Sequence, residues 1–155
     1  MTTNEGTTVP GSHRYAIVAS RYHDFITGRL EAGALAAFES AGISASDVTV
    51  VRVPGAFELP LAARMAAATE RFAAVVCLGC LIRGGTPHFE FIAAAVANGL
   101  MAAAGETRVP ITFGVLTTNS VEEALERAAD GPSNKGWEAA AAAIEMTAAL
   151  RALVS

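Results

Sequence analysis

Four short runs of branched and apolar residues recur along this chain, at Tyr15 to Ser20, Val48 to Val53, Ala73 to Ile82 and Ile111 to Thr117. Helical periodicity follows each of them, over Asp24 to Ser40, Phe57 to Arg71 and Pro87 to Ala104, then Val121 to Ala129 and Asn134 to Leu153. Strands separated by helices pair in parallel, and the crossovers that join them are right-handed. The alternation therefore predicts an α/β three-layer sandwich, a four-stranded parallel sheet with helices on both faces. A chain of 155 residues without an evident linker fits one domain, here residues 14–155. Residues 1–13 are polar, contain Gly6, Pro10 and Gly11, and read as a flexible N-terminal tail.

The topology expected is flavodoxin-like, and in such sheets ligands bind beyond the carboxyl ends of the strands. The residues at those four ends are Arg21-Tyr22-His23, Pro54-Gly55-Ala56-Phe57-Glu58, Arg83-Gly84-Gly85-Thr86-Pro87-His88 and Thr118-Asn119-Ser120. The third is the most informative. A glycine pair brings backbone N–H groups close to a ligand, Thr86 fits a helix cap and Pro87 the first helical position. The start of a helix attracts anions, and its dipole favours a neutral His88 that can exchange protons. Tyr22 and Phe57 add aromatic surface and Glu58 a carboxylate, a set suited to a planar heterocycle and a phosphorylated partner. Each has a duller reading: His88 as a cap or packed ring, Tyr22 at a rim, Phe57 in the core, Glu58 as a helix-start charge.

Composition narrows the partners. Eleven basic and fifteen acidic residues give a net charge of −4, which argues against nucleic acid. The longest apolar stretches are broken by Asn98, Glu145 or Arg151, so no membrane span is expected, and the chain's start lacks the features of a secretory signal. Charged residues are only 17% of the chain, against about 25% in typical soluble domains, so some apolar surface should meet a partner. The helix from Pro87 supplies it: Phe89, Ile92, Val96 and Leu100 lie on one side, Phe91, Ala95 and Met101 on the other. Cys77 and Cys80 could suggest a redox pair or half a zinc site. Three apart in a strand, they point to opposite faces and read as packed thiols in a reducing cytoplasm.

The order of motifs resembles the 6,7-dimethyl-8-ribityllumazine synthase family of riboflavin biosynthesis. Val53-Pro54-Gly55-Ala56-Phe57-Glu58-Leu59-Pro60, Ile82 to Glu90, Phe113-Gly114-Val115-Leu116-Thr117-Thr118, Arg127 and Asn134-Lys135-Gly136 carry the likeness, which spans all but residues 1–13. It implies condensation of 5-amino-6-(D-ribitylamino)uracil with 3,4-dihydroxy-2-butanone 4-phosphate, releasing phosphate and water, with no metal or organic cofactor. By the resemblance, Tyr22 stacks on the pyrimidine, and Phe113 of a neighbouring subunit closes the other side. Ala56, Phe57 and Glu58 hold the ribityl chain, while backbone groups of Cys80, Leu81 and Ile82 read the uracil edge. Gly85, Thr86 and the neighbour's Arg127 bind the phosphate, His88 relays protons, and Lys135 is a supporting charge unless it is merely solvated.

The resemblance also implies a cytoplasmic enzyme that forms pentamers, closes into an icosahedral shell and associates with riboflavin synthase. The segment between Arg127 and Lys135, residues 128–134, is as short as in shell-forming relatives. Two positions depart from the pattern: His23 stands where many relatives carry asparagine, and Asp130-Gly131-Pro132-Ser133 replaces a small and basic loop. A non-catalytic flavin- or lumazine-binding shell is the competing reading. A flavodoxin-like FMN carrier fits less well, because Ser20-Arg21-Tyr22-His23 lacks a phosphate loop.

Overall fold

The sheet of the computed structural model has the order β2-β1-β3-β4, with every neighbouring pair parallel. The model describes residues 13–155, so the expected tail, except for His13, lies outside the described residues. The strands are β1 Tyr15–Ser20, β2 Val48–Val53, β3 Ala74–Ile82 and β4 Ile111–Thr118. The helices are α1 Asp24–Ser40, α2 Leu59–Ala68, α3 His88–Thr107, α4 Val121–Arg127 and α5 Lys135–Val154. The sandwich and its flavodoxin-like topology are those the alternation predicts.

Period-two alternation along the central strands sorts the core into two layers. Tyr15, Ile17, Val76 and Leu78 face α1 and α5, where they meet Leu30, Phe38 and Ala140. Ala16, Val18, Val75 and Cys77 face α2 and α3, where they meet Leu59, Val96 and Leu100. Each large apolar side chain buried in this way contributes about 1.5–3 kcal/mol. The two cysteines obey the same rule: Cys77 belongs to the α2/α3 layer and Cys80 to the α1/α5 layer, both as free thiols. Burial pushes their pKa up, to about 12 for Cys77 and about 11 for Cys80.

Two expectations need correction. The helix expected from Phe57 to Arg71 is shorter, because Ala56–Glu58 forms a 3₁₀ turn before α2 and the chain leaves the helix after Ala68. There Thr69 Oγ1 donates to the Ala66 carbonyl at 2.6 Å and Glu70 takes a left-handed backbone, φ 61°. A 3₁₀ turn at Ala45–Asp47, capped by Ser44, precedes β2. The second concerns α3, which is long and apolar enough to cross a membrane by length and composition. Val96, Leu100 and Ala103 are buried in the fold, whereas Phe91 and Met101 are 74% and 75% exposed.

Candidate active site

The carboxyl ends of β1, β2 and β3 enclose a cavity of about 550 Å³. Beyond β1 the ladder continues for two residues: Arg21 N–H donates to Val53 O at 2.8 Å and Tyr22 N–H to Pro54 O at 3.1 Å. These bonds present the Tyr22 ring at the cavity, 68% exposed. His23 then turns the chain into α1 through a left-handed backbone, φ 62° and ψ 48°, and its carbonyl receives the N–H groups of Ile26 and Thr27. Its ring lies 4.4 Å from that of Tyr22, edge to face, and partial burial lowers its pKa.

Beyond β2, Glu58 N–H donates to Gly55 O at 3.2 Å and closes the 3₁₀ turn. That turn buries Ala56 and leaves Phe57 63% exposed, so Phe57 is not a core residue, and both line the cavity with Glu58. Cys80, Leu81 and Ile82 supply the floor from the end of β3. Gly84, Thr86 and His88 supply the wall; Gly85 sits exposed between two of them, where a Cβ would meet nothing within 4 Å. His88, exposed, is the first residue of α3. Thr86 is one residue too early to be its cap. Pro87 holds the boundary, and since proline has no N–H, the first available donor is that of His88, 3.4 Å from Thr86 Oγ1.

Phe113, Arg127 and Lys135 are elsewhere. They line a second cavity of about 330 Å³ along the edge strand β4 and the start of α5, with no lining residue in common with the first. Arg127 donates to the Glu123 carbonyl at 3.3 Å, and Lys135 Nζ pairs with Glu138 at 3.1 Å. Phe113 is 46% exposed on an edge strand whose outer side has no partner among the described residues. A larger cleft of about 990 Å³ opens at the amino ends of the strands, between Phe72, Val109 and Leu150 with arginines at its rim. None of the candidate site residues reaches it.

The sequence reading missed two residues that hold these walls. Arg83 donates through Nε to Asn119 Oδ1 at 3.0 Å, pairs with Glu90 and lies over the Phe89 ring. Asn134 is a fully buried hub: its amide nitrogen donates to the carbonyls of Arg29 at 3.2 Å and Ala128 at 2.9 Å. Its Oδ1 accepts the N–H groups of Gly136 and Trp137 at 2.8 and 3.1 Å, capping α5 beside Lys135. An asparagine just ahead of a helical run was a legible cap; the two longer bonds were not.

A family model described as 6,7-dimethyl-8-ribityllumazine synthase matches residues 12–151. A protein of Syntrophus aciditrophicus (strain SB) named 6,7-dimethyl-8-ribityllumazine synthase is 51% identical over 150 residues, covering 97% of each chain.

Proposed function

We infer the working of the site from one premise: this chain belongs to the 6,7-dimethyl-8-ribityllumazine synthase family. It is an enzyme of riboflavin biosynthesis that condenses 5-amino-6-(D-ribitylamino)uracil with 3,4-dihydroxy-2-butanone 4-phosphate, giving the lumazine, phosphate and water. The site we propose for that reaction is assembled from two subunits. The observation that carries this reading is the division of the candidate residues between two cavities that share no wall.

On one subunit the pyrimidine stacks on Tyr22 above the backbone of Cys80, Leu81 and Ile82. Its ribityl chain runs along Ala56 and Phe57, with Glu58 accepting hydroxyl hydrogen bonds. The butanone phosphate lies at Gly85 and Thr86, where amide and hydroxyl donors meet the start of α3. The neighbour brings Phe113 over the other face of the ring, Arg127 as a bidentate partner of the phosphate, and Lys135 as a further positive charge. Attack of the pyrimidine 5-amine on the ketone expels water as the imine forms, the phosphate leaves by elimination, and the ribityl-bearing nitrogen then condenses with the carbonyl this leaves, expelling a second water and completing the ring. His88 carries protons through these steps. Holding both substrates together supplies several kcal/mol of the roughly 7–11 available from orientation, and one proton relay adds about 10²–10⁴ in rate.

Exposed apolar side chains on α2, α3 and α5, among them Leu61, Met65, Phe91, Met101 and Met146, support burial against other copies. The assembly proposed is a cyclic pentamer that closes into an icosahedral shell in the cytoplasm and associates there with riboflavin synthase. Mixing the purified protein with both substrates and following lumazine absorbance tests the reaction. Light scattering with negative-stain imaging tests the assembly: rings that stay isolated at high concentration overturn the shell, and a monomer overturns the shared site.

A further inference from the structure

The turn that carries the proposed phosphate-binding groups has little support of its own. A Cβ on Gly84 or Gly85 would meet nothing within 4 Å, and Thr86, Pro87 and His88 are all exposed. Left alone, such a stretch samples many conformations, and each moves the Thr86 hydroxyl and the His88 ring. Arg83, at its root, is by contrast held by four contacts although its side chain is partly open to solvent. Its N–H donates to Thr118 O at 2.8 Å, and its Nε donates to Asn119 Oδ1 at 3.0 Å. Its guanidinium lies 4.6 Å from the centre of the Phe89 ring and pairs with the Glu90 carboxylate on the first turn of α3.

The chain of contacts continues past Asn119. Its N–H donates to Glu123 Oε2 at 3.1 Å, Glu123 N–H donates to the Ser120 cap at 3.1 Å, and the Glu123 carbonyl receives Arg127. One guanidinium thus joins the helix start that bears His88 to the helix that bears Arg127, while itself lining neither cavity.

We propose that Arg83 is a positioning residue, clamping residues 84–87 between α3 and the β4–α4 loop and so fixing the geometry in which the butanone phosphate is held. The inference rests on the reading of that turn as the phosphate site. A planar fork can donate to Asn119, stack on Phe89 and pair with Glu90 at once; a lysine ammonium cannot. Displacing bound groups by about 1 Å costs as much as 10²-fold in rate.

Steady-state kinetics of the full chain with both substrates, on Arg83→Ala, Arg83→Lys, Asn119→Ala and the Arg83→Ala/Asn119→Ala double variant, test it. The expected result is a rise of about 10-fold or more in KM for the butanone phosphate in Arg83→Ala, with KM for the pyrimidine within about twofold of the parent. Arg83→Lys does not restore the parent value. Asn119→Ala shifts the same constant in the same direction, and the double variant is no worse than Arg83→Ala, because both remove one contact. An unchanged butanone phosphate KM, equal changes in both KM values, or additive effects of the two substitutions each overturn the proposal; additivity would place Arg83 on the substrate itself. Should Arg83→Ala fail to fold, Asn119→Ala alone decides by the same two constants. A parent protein that forms no lumazine overturns the underlying reading instead, and is told apart before any variant is assayed.

Discussion

Asn134 fills the space that a side chain on Gly33 would need: a Cβ built on Gly33 falls 2.2 Å from Asn134 Oδ1. All four hydrogen-bonding sites of that buried amide are in use. Gly33→Ala must therefore overpack the α1/α5 crossing or break part of the hub. The expected loss is about 2–4 kcal/mol of unfolding free energy. Asn134→Ala should cost a similar amount, since it strands two carbonyls and uncaps α5. Denaturant unfolding measures both, and a loss below about 0.5 kcal/mol for Gly33→Ala would mean that the helices separate freely.

His23 occupies left-handed backbone that asparagine adopts more readily. His23→Asn should stabilise the fold by several tenths to about 1 kcal/mol. The same substitution changes the acid response. Burial lowers the pKa of His23 from 6.5, so the unfolded chain takes up the proton first. The stability tied to its neutral ring is complete above pH about 6.5 and is lost as the pH falls through the folded-state value. Melting curves from pH 7.5 down to 5 should fall less steeply for His23→Asn than for the parent; parallel curves would remove His23 from the acid response.

His88→Ala should lower turnover about 10- to 100-fold without abolishing it, because orientation supplies more of the rate than proton transfer does. Arg127→Ala should act mainly on KM for the butanone phosphate. Complete loss in the first variant together with no change in the second would reverse the two roles.

Gly85→Asp fits sterically, since a Cβ there meets nothing within 4 Å, and its carboxylate repels the phosphate. Oligomers refolded from inactive Gly85→Asp chains and Arg127→Ala chains should regain part of the activity, because some interfaces then pair two intact halves. Well-mixed oligomers that stay inactive would locate the site within single chains.

Cys77 and Cys80, buried and with thiol pKa values raised to about 12 and about 11, should resist thiol reagents at pH 8 in the native protein. Both should react after unfolding. Modification of the native protein at the unfolded rate would show that the sheet opens locally.

What could be read in advance was whatever repeats with a short period. β1, α1 and β2 lie where apolar spacing put them, to the residue, because their faces are set by local alternation. Tyr22, Phe57, Glu58 and His88 were placed at one sheet edge by counting strands, and they share one cavity. Single-residue chemistry was less legible: the proline just ahead of α3 moved the boundary off Thr86, and Thr69 ended α2 early. Least legible were bonds between distant segments. Nothing near Asn134 announces the Arg29 carbonyl, 105 positions away, and nothing beside Arg83 announces Asn119, 36 positions on.

Placing Tyr22 and Arg127 in cavities without a common wall bears on supply and damage. With the site shared as proposed, a newly made chain carries two halves that face different neighbours, and catalysis should start only at encounter. At scarce expression, output should then climb more steeply than chain number. Lesions should also travel: on the same proposal, a chain that loses Arg127 weakens phosphate binding at the site next door, while its own Tyr22 side keeps full function beside a healthy neighbour.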